Sequence, residues 1–225
     1  MRLDLGQIMK MIAATVNQEP TAPDSSSSEY GLWLEFVNRS IHEWDEANDW
    51  EEMRISWFPS STASGMVILP TDFKKLAGTP LIHIGGNQVG SQYPHIIAEQ
   101  KELQNTTDQY SVLSGNSQAG FVLTFNPATI SSGASIEIPY YAHATSVSGA
   151  SDVPALEDAQ FLIDRTVGYI FEARSDSRFQ TQEQKARDRL LTMIENSNLR
   201  KFNSYAGSNP VISTMQRQNF RVGRD

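Results

Sequence analysis

The densest group of side chains able to do chemistry is His42-Glu43-Trp44-Asp45-Glu46, continued by Asp49, Glu51 and Glu52. Carboxylates this close in sequence could hold a hard cation or divide into a general acid and a general base. The surrounding pattern argues for a plainer role. Tyr30, Trp33, Leu34, Val37, Ile41 and Trp44 recur at offsets 0, 3, 4, 7, 11 and 14, which places them on one apolar stripe of a helix. Most of the carboxylates fall off that stripe or just past its end, where a solvated face is expected. Glu43, Asp45, Glu46 and Asp49 are therefore candidates for an acidic surface, or for the lining of a channel if the chain forms a ring.

Other chemistry finds little support. His42, His83, His95 and His143 show no metal-ligand spacing with one another, and none begins a His-Glu-x-x-His pattern. Gly85-Gly86-Asn87-Gln88-Val89-Gly90 follows a strand-like run but lacks the Lys and Ser/Thr of a phosphate-binding loop, so it reads as a hairpin turn. No Gly-x-Ser-x-Gly is present, and no serine pairs with a histidine at interpretable spacing. The absence of cysteine excludes disulfides, thiolate metal sites and thiol nucleophiles. Trp33, Trp44, Tyr140 and Tyr141 could form a ligand platform, but core packing is the expected use. The expectation is a protein with no catalytic residue, no metal and no cofactor.

The elements that hold these residues are legible from periodicity. Leu5, Ile8, Met9, Ile12 and Val16 predict a first helix, and the connection 19–28 leads through a Ser26/Glu29 capping box into the Trp33 helix. Short β-branched and aromatic runs at 53–58, 66–69, 81–84, 110–113, 121–125 and 136–141 predict strands, antiparallel by default. Residues 73–76 and 96–103 fit either a helix or a strand. Helical texture returns with Asp152 as a cap, Pro154 in the first turn and Leu162, Ile163, Val167 and Ile170 along one face. Residues 175–177 break it, and a last helix over 179–194 completes a hairpin. A helix pair cannot bury its faces alone, so the fold class is α+β: a bundle built from N- and C-terminal helices, an inserted antiparallel β domain and an extended C-terminal tail. The boundaries are 1–50, 51–148, 149–198 and 199–225. Such a chain is long enough to build its cores without staples, and no run suits a secretory signal or a bilayer crossing, so a soluble chain with no membrane contact is expected.

Charge divides the molecule. The formal net charge is −8, which opposes broad binding of nucleic-acid phosphates. Yet Arg200, Lys201, Arg217, Arg221 and Arg224 stand against Asp225 alone in the last segment, so an acidic body carries a basic tail. Phe202, Tyr205, Val211, Ile212, Met215, Phe220 and Val222 alternate with those cations, a mixture of charge and anchors suited to a partner groove. Arg200, Lys201, Phe202, Tyr205, Arg217, Phe220, Arg221 and Arg224 are the candidate partner-binding residues.

Ile138-Pro139-Tyr140-Tyr141-Ala142 ends a strand, and Ser151-Asp152-Val153-Pro154-Ala155-Leu156 then leads into the helical hairpin. This passage, about a third of the chain with its hairpin, resembles the head-to-tail adaptor (connector, neck) proteins of tailed bacteriophages. The resemblance implies a structural virion protein, made in the host cytoplasm, that forms a homo-dodecameric ring. It implies a portal protein above, a tail or nozzle protein below, a β domain facing that next component and DNA passing through without specific binding. The tail would dock on the portal, its positive charge drawn to an acidic surface. Two other classes remain open: a virion decoration or tail protein whose β domain binds glycan or protein, and a hydrolase, which would need a deep pocket of convergent polar groups.

Overall fold

The computed structural model describes residues 2–59, 65–84, 95–96, 110–116, 118–126 and 134–208. The chain divides into two compact units, residues 1–51 with 144–225, and residues 52–143. The first is helical and is contributed by both ends of the chain; the second is the β unit. The α+β class expected from periodicity is the observed one.

In the helical unit, α1 (Leu5–Asn17), α2 (Ser28–Ala47), α3 (Ala159–Ala173) and α4 (Phe179–Ser208) pack around α3. Phe161, Leu162, Ile163, Thr166, Val167, Gly168, Tyr169, Ile170 and Phe171 are all buried, so α3 is covered on nearly every side and not on one face as its four aliphatic residues suggested. A helix apolar around its whole circumference belongs at the centre of a bundle. Leu5, Ile8, Met9, Ile12, Ala13 and Val16 of α1 and Trp33, Val37, Ile41 and Trp44 of α2 supply facing layers. Trp44 and Trp50 stack at 4.8 Å, and Trp50 Nε1 donates to the Trp44 carbonyl at 2.7 Å.

The caps differ from the expected ones. Ser26 is turned back onto Asp24, its hydroxyl donating to the carboxylate, and Ser27 accepts from the Tyr30 N–H to cap α2. Asp158, not Asp152, caps α3. Asp152 instead closes a turn: its carboxylate accepts from the Ser148 and Gly149 N–H groups, each at 2.8 Å, and these bonds hold its pKa below the ordinary value. That turn fastens both N-terminal helices. The Leu5 and Gly6 N–H groups, free donors at the start of α1, donate to the Asp152 and Ala150 carbonyls at 2.8 Å. Asp4 and Gln7 satisfy the next positions through a reciprocal capping box. Asn38 of α2 makes two hydrogen bonds to the backbone of Val147. Pro154, expected in the first turn of a helix, is buried together with Leu156 in the coil before α3.

α4 runs to Ser208, well past the end expected near residue 194, so the first ten residues of the supposed extended tail are helical. The polar sequence there carries no apolar periodicity to announce it; the helix continues from a first half that is already packed.

The β unit holds β1 (Arg54–Trp57), β2 (Met66–Ile68), β3 (Phe73–Leu76), β4 (Leu81–Ile84), β5 (His95–Ile96), β6 (Tyr110–Asn116), β7 (Gly120–Asn126) and β8 (Ala134–Ala142). Residues 73–76 are a strand. β8 is the hub of one sheet, flanked by β1 and β3 and pairing with β4 through its first half; the other sheet runs β2-β7-β6-β5. Among the described residues all pairs are antiparallel except β5 with β6, which is parallel and corrects the uniform antiparallel expectation. Most of the doubtful stretch 96–103 lies outside the described residues. Val67, Leu69, Leu123 and Phe125 from one sheet meet Phe73, Ile136, Ile138 and Tyr140 from the other in one core. Pro139 sits mid-strand in β8, where proline is ordinarily excluded. Its carbonyl accepts from Ala77, so its nitrogen faces the break between β3 and β4, where Gly78 lets the ring approach. Tyr140 donates to Asp72 at 3.1 Å; burial, then this bond, pushes its hydroxyl up to about 12.

Trp33 is 1% exposed, and Trp33→Ala is expected to cost about 3–5 kcal/mol in denaturant unfolding through the cavity it leaves. Because the Asp152 carboxyl is depressed in the folded state, the stability it contributes is present above its ordinary value of 3.8 and lost as pH falls through its folded value. Asp152→Asn is therefore expected to lower the melting temperature at neutral pH and to shrink the loss on acidification, as followed by circular dichroism.

A candidate functional site on the helical unit

Four of the singled-out residues lie at or just beyond the end of α2, and the structure separates their roles. Glu43 Oε2 accepts from Arg165 Nε at 2.7 Å and from the Tyr169 hydroxyl at 2.8 Å, both on α3. The Tyr169 ring is held between two guanidinium groups, Arg39 at 4.3 Å and Arg165 at 4.4 Å, with Phe36 tilted against it at 5.6 Å. Arg165 also lies 3.8 Å from Glu183 of α4. Burial pushes the Tyr169 hydroxyl up, and its bond to Glu43 adds to that. Burial works against the Arg165 cation, but the bond to Glu43 and the attraction of its charge outweigh it and raise the pKa. Both groups are thus held in the protonation states they already have at neutral pH. Glu43 is a neutralised tie between α2 and α3, not an open channel carboxylate.

Asp45 is 2% exposed and engaged within the protein, which removes it from the acidic surface on which it was expected. Its position one residue past Trp44 carries it to the edge of the apolar stripe, where the bundle covers it. Glu46 is exposed. Asp49 is half-buried, and its carbonyl accepts from Lys201 Nζ. His42, Asp45 and Glu46, within the run whose carboxylates could hold a hard cation, each bring a ligand atom within 4.8 Å of the others. Asp45 already has a partner, so no ion is assigned to the set.

Beside the Glu43 tie lies a cleft of about 170 Å³ lined by Phe161, Arg165, Glu183, Ala186, Arg187 and Leu190. Its charges are spoken for: Arg187 pairs with Glu183 at 3.2 Å, and Arg165 with Glu43. Among the residues lining the cleft, both cations are paired with carboxylates, above an apolar floor of Phe161, Ala186 and Leu190.

The basic tail begins inside α4. Arg200 lies 3.2 Å from Glu157, and Lys201 holds the Asp49 carbonyl, so two of the candidate docking cations rest on the protein's own body. Positions 202 and 205, Phe and Tyr, are helical rather than extended. Arg217, Phe220, Arg221 and Arg224 lie outside the described residues. Among the described residues no helix is long and apolar enough to cross a membrane. No family model matches the chain, and no curated protein matches its sequence.

Replacing the Glu43 carboxylate by an amide leaves the partly buried Arg165 without its counter-charge and gives the Tyr169 hydroxyl a weaker, neutral acceptor. Glu43→Gln is expected to lower stability by about 1–2 kcal/mol, and Tyr169→Phe by less. A double-mutant cycle between the two positions should show coupling, and strictly additive losses would mean the tie does not form.

Proposed function

We propose that this chain is the subunit of a head-to-tail adaptor ring in the virion of a tailed bacteriophage, seated between the portal and the next neck or tail component, with the genome passing through the ring. The observation that carries the reading is the discontinuous helical unit. Residues 1–51 and 144–225 fold together, closed by the Asp152 turn on the first turn of α1, with the β unit set between them. The strand-to-hairpin passage that suggested the family is the segment that makes this closure. A protein built this way offers two compact units, each with its own surface for a neighbour.

The terminal segment adds support. α4 delivers residues 209–225, with Arg217, Arg221 and Arg224 among apolar anchors, from the end of a helix strapped to the body at Arg200 and Lys201. Such a segment suits docking on an acidic partner. A carboxylate-lined channel would draw on Glu46 and on Asp49, since Glu43 is neutralised and Asp45 is buried. Exposed Phe58 and Ile68 on the β unit favour a protein neighbour there, and a glycan-binding or decoration role is the second reading.

Mixing the full chain with the portal of the same phage should give rings visible by electron microscopy. Removing residues 209–225, which leaves α4 whole, is expected to weaken that association at least tenfold. Equal assembly by the truncated chain would sink the docking role of the tail. A full chain that ignores the portal and binds glycans would replace the adaptor reading with the second one.

A further inference from the structure

Helix α4 is made of two unlike halves. Residues 179–194 contain no asparagine, serine or glycine, whereas half of residues 195–208 are of those three types, Asn196, Asn198, Asn203 and Gly207 among them. Such residues disfavour a helix interior: asparagine and serine hydrogen-bond the backbone in other conformations, and glycine gives up the most backbone freedom. A stretch of this length and composition does not hold a helix by itself in water, so its helical form depends on what it packs against.

The two halves also pack differently. In the first, Ala186 is buried, Leu190, Met193 and Ile194 are half-buried, and Arg189 reaches both Asp158 and Asp164. In the second, the position between 195 and 201 that turns fully into the body is Ser197, 5% exposed, whose hydroxyl has no hydrogen-bond partner among the described residues. Burying that hydroxyl unpaired works against the contact, and a serine has little apolar surface to offset it. Lys201 holds the Asp49 carbonyl, and Arg200 meets Glu157 with both side chains more than half exposed, a setting in which an ion pair contributes little. Glu195, Asn196, Asn198 and Leu199 are exposed.

We propose that residues 195–208 are a releasable strap: they leave the body together while residues 179–194 stay packed, and a partner that engages the terminal segment binds the released form. Release changes reach. The segment beyond α4, 209–225, spans at most about 55 Å when extended, and 195–225 about 100 Å. A copy that has not met its partner keeps the slack helical against itself, and one that has can follow the partner over nearly twice the distance. That the partner is the portal rests on the adaptor reading; the release is a property of this chain alone.

Hydrogen exchange of the full chain, read by mass spectrometry, tests the release. Amides of 197–208 are expected to exchange at least a hundredfold faster than those of 183–193, with 197–201 as fast as 203–208, because a strap opens as a unit. Equal protection in both halves overturns the proposal, and so does rapid exchange confined to the last turn, which is ordinary fraying. Asn196→Ala with Asn198→Ala alters two exposed positions and raises helix propensity without removing a described contact. This pair is expected to slow exchange of 197–208 about fivefold to tenfold. It should weaken binding of the portal of the same phage by the same factor, because the released fraction is the one that binds. Exchange that does not slow, or portal affinity that stays unchanged beside slowed exchange, would sink the strap as a device. A full chain whose strap exchanges fast as a unit but that ignores the portal keeps the release and removes the adaptor reading.

Discussion

Helix α3 meets water on very little of its circumference, and the other three helices exist in their observed positions because it does. A helix with Phe161, Leu162, Ile163, Val167, Ile170 and Phe171 around its axis must be covered on every side, and burying such side chains is worth roughly 1.5–3 kcal/mol each. No neighbour in sequence can cover it alone. α4 follows immediately and takes one side, but α1 and α2 must come from the far end of the chain, more than 100 residues away in sequence. The β unit is therefore free to vary only so long as it returns the chain to α3.

The few polar groups on α3 are resolved by partners from several helices. Arg165 and the Tyr169 hydroxyl both end on Glu43, and Thr166 meets Ser40 at 3.3 Å, in each case tying α3 to α2. Asp158 and Asp164 receive Arg189 from α4. Apolar burial supplies the bulk of the stability, and these paired groups set the register at which the helices cross. The Asp152 turn does the same for α1, whose opening N–H groups would otherwise lack acceptors.

What the sequence revealed follows from the range of each interaction. Helices α1, α2 and the start of α4, and most strands, were legible because their apolar spacing is local. Cap positions shifted by one residue at Ser27 and by six at Asp158, because Ser26 and Asp152 are equally good capping residues and only the surrounding fold chooses between them. Glu43 looked like an open carboxylate because its partners Arg165 and Tyr169 lie 122 and 126 residues away. Asp45 looked solvated because the stripe beside it is drawn from one helix, whereas its cover comes from the rest of the unit. The parallel pairing of β5 with β6 has no local signature at all.

Ser197 carries the same lesson in reverse. It was not singled out by periodicity, since an isolated serine on a helix is ordinary, and it became informative only once the packed side of α4 was known. Under the proposed reading, a body this acidic opposes association of its copies through long-range repulsion. A contact between copies that is weak enough to stay open in dilute solution closes when a partner gathers the copies. A ring assembled in this way forms at the place where its partner waits, because the partner supplies the local concentration that the contact itself lacks.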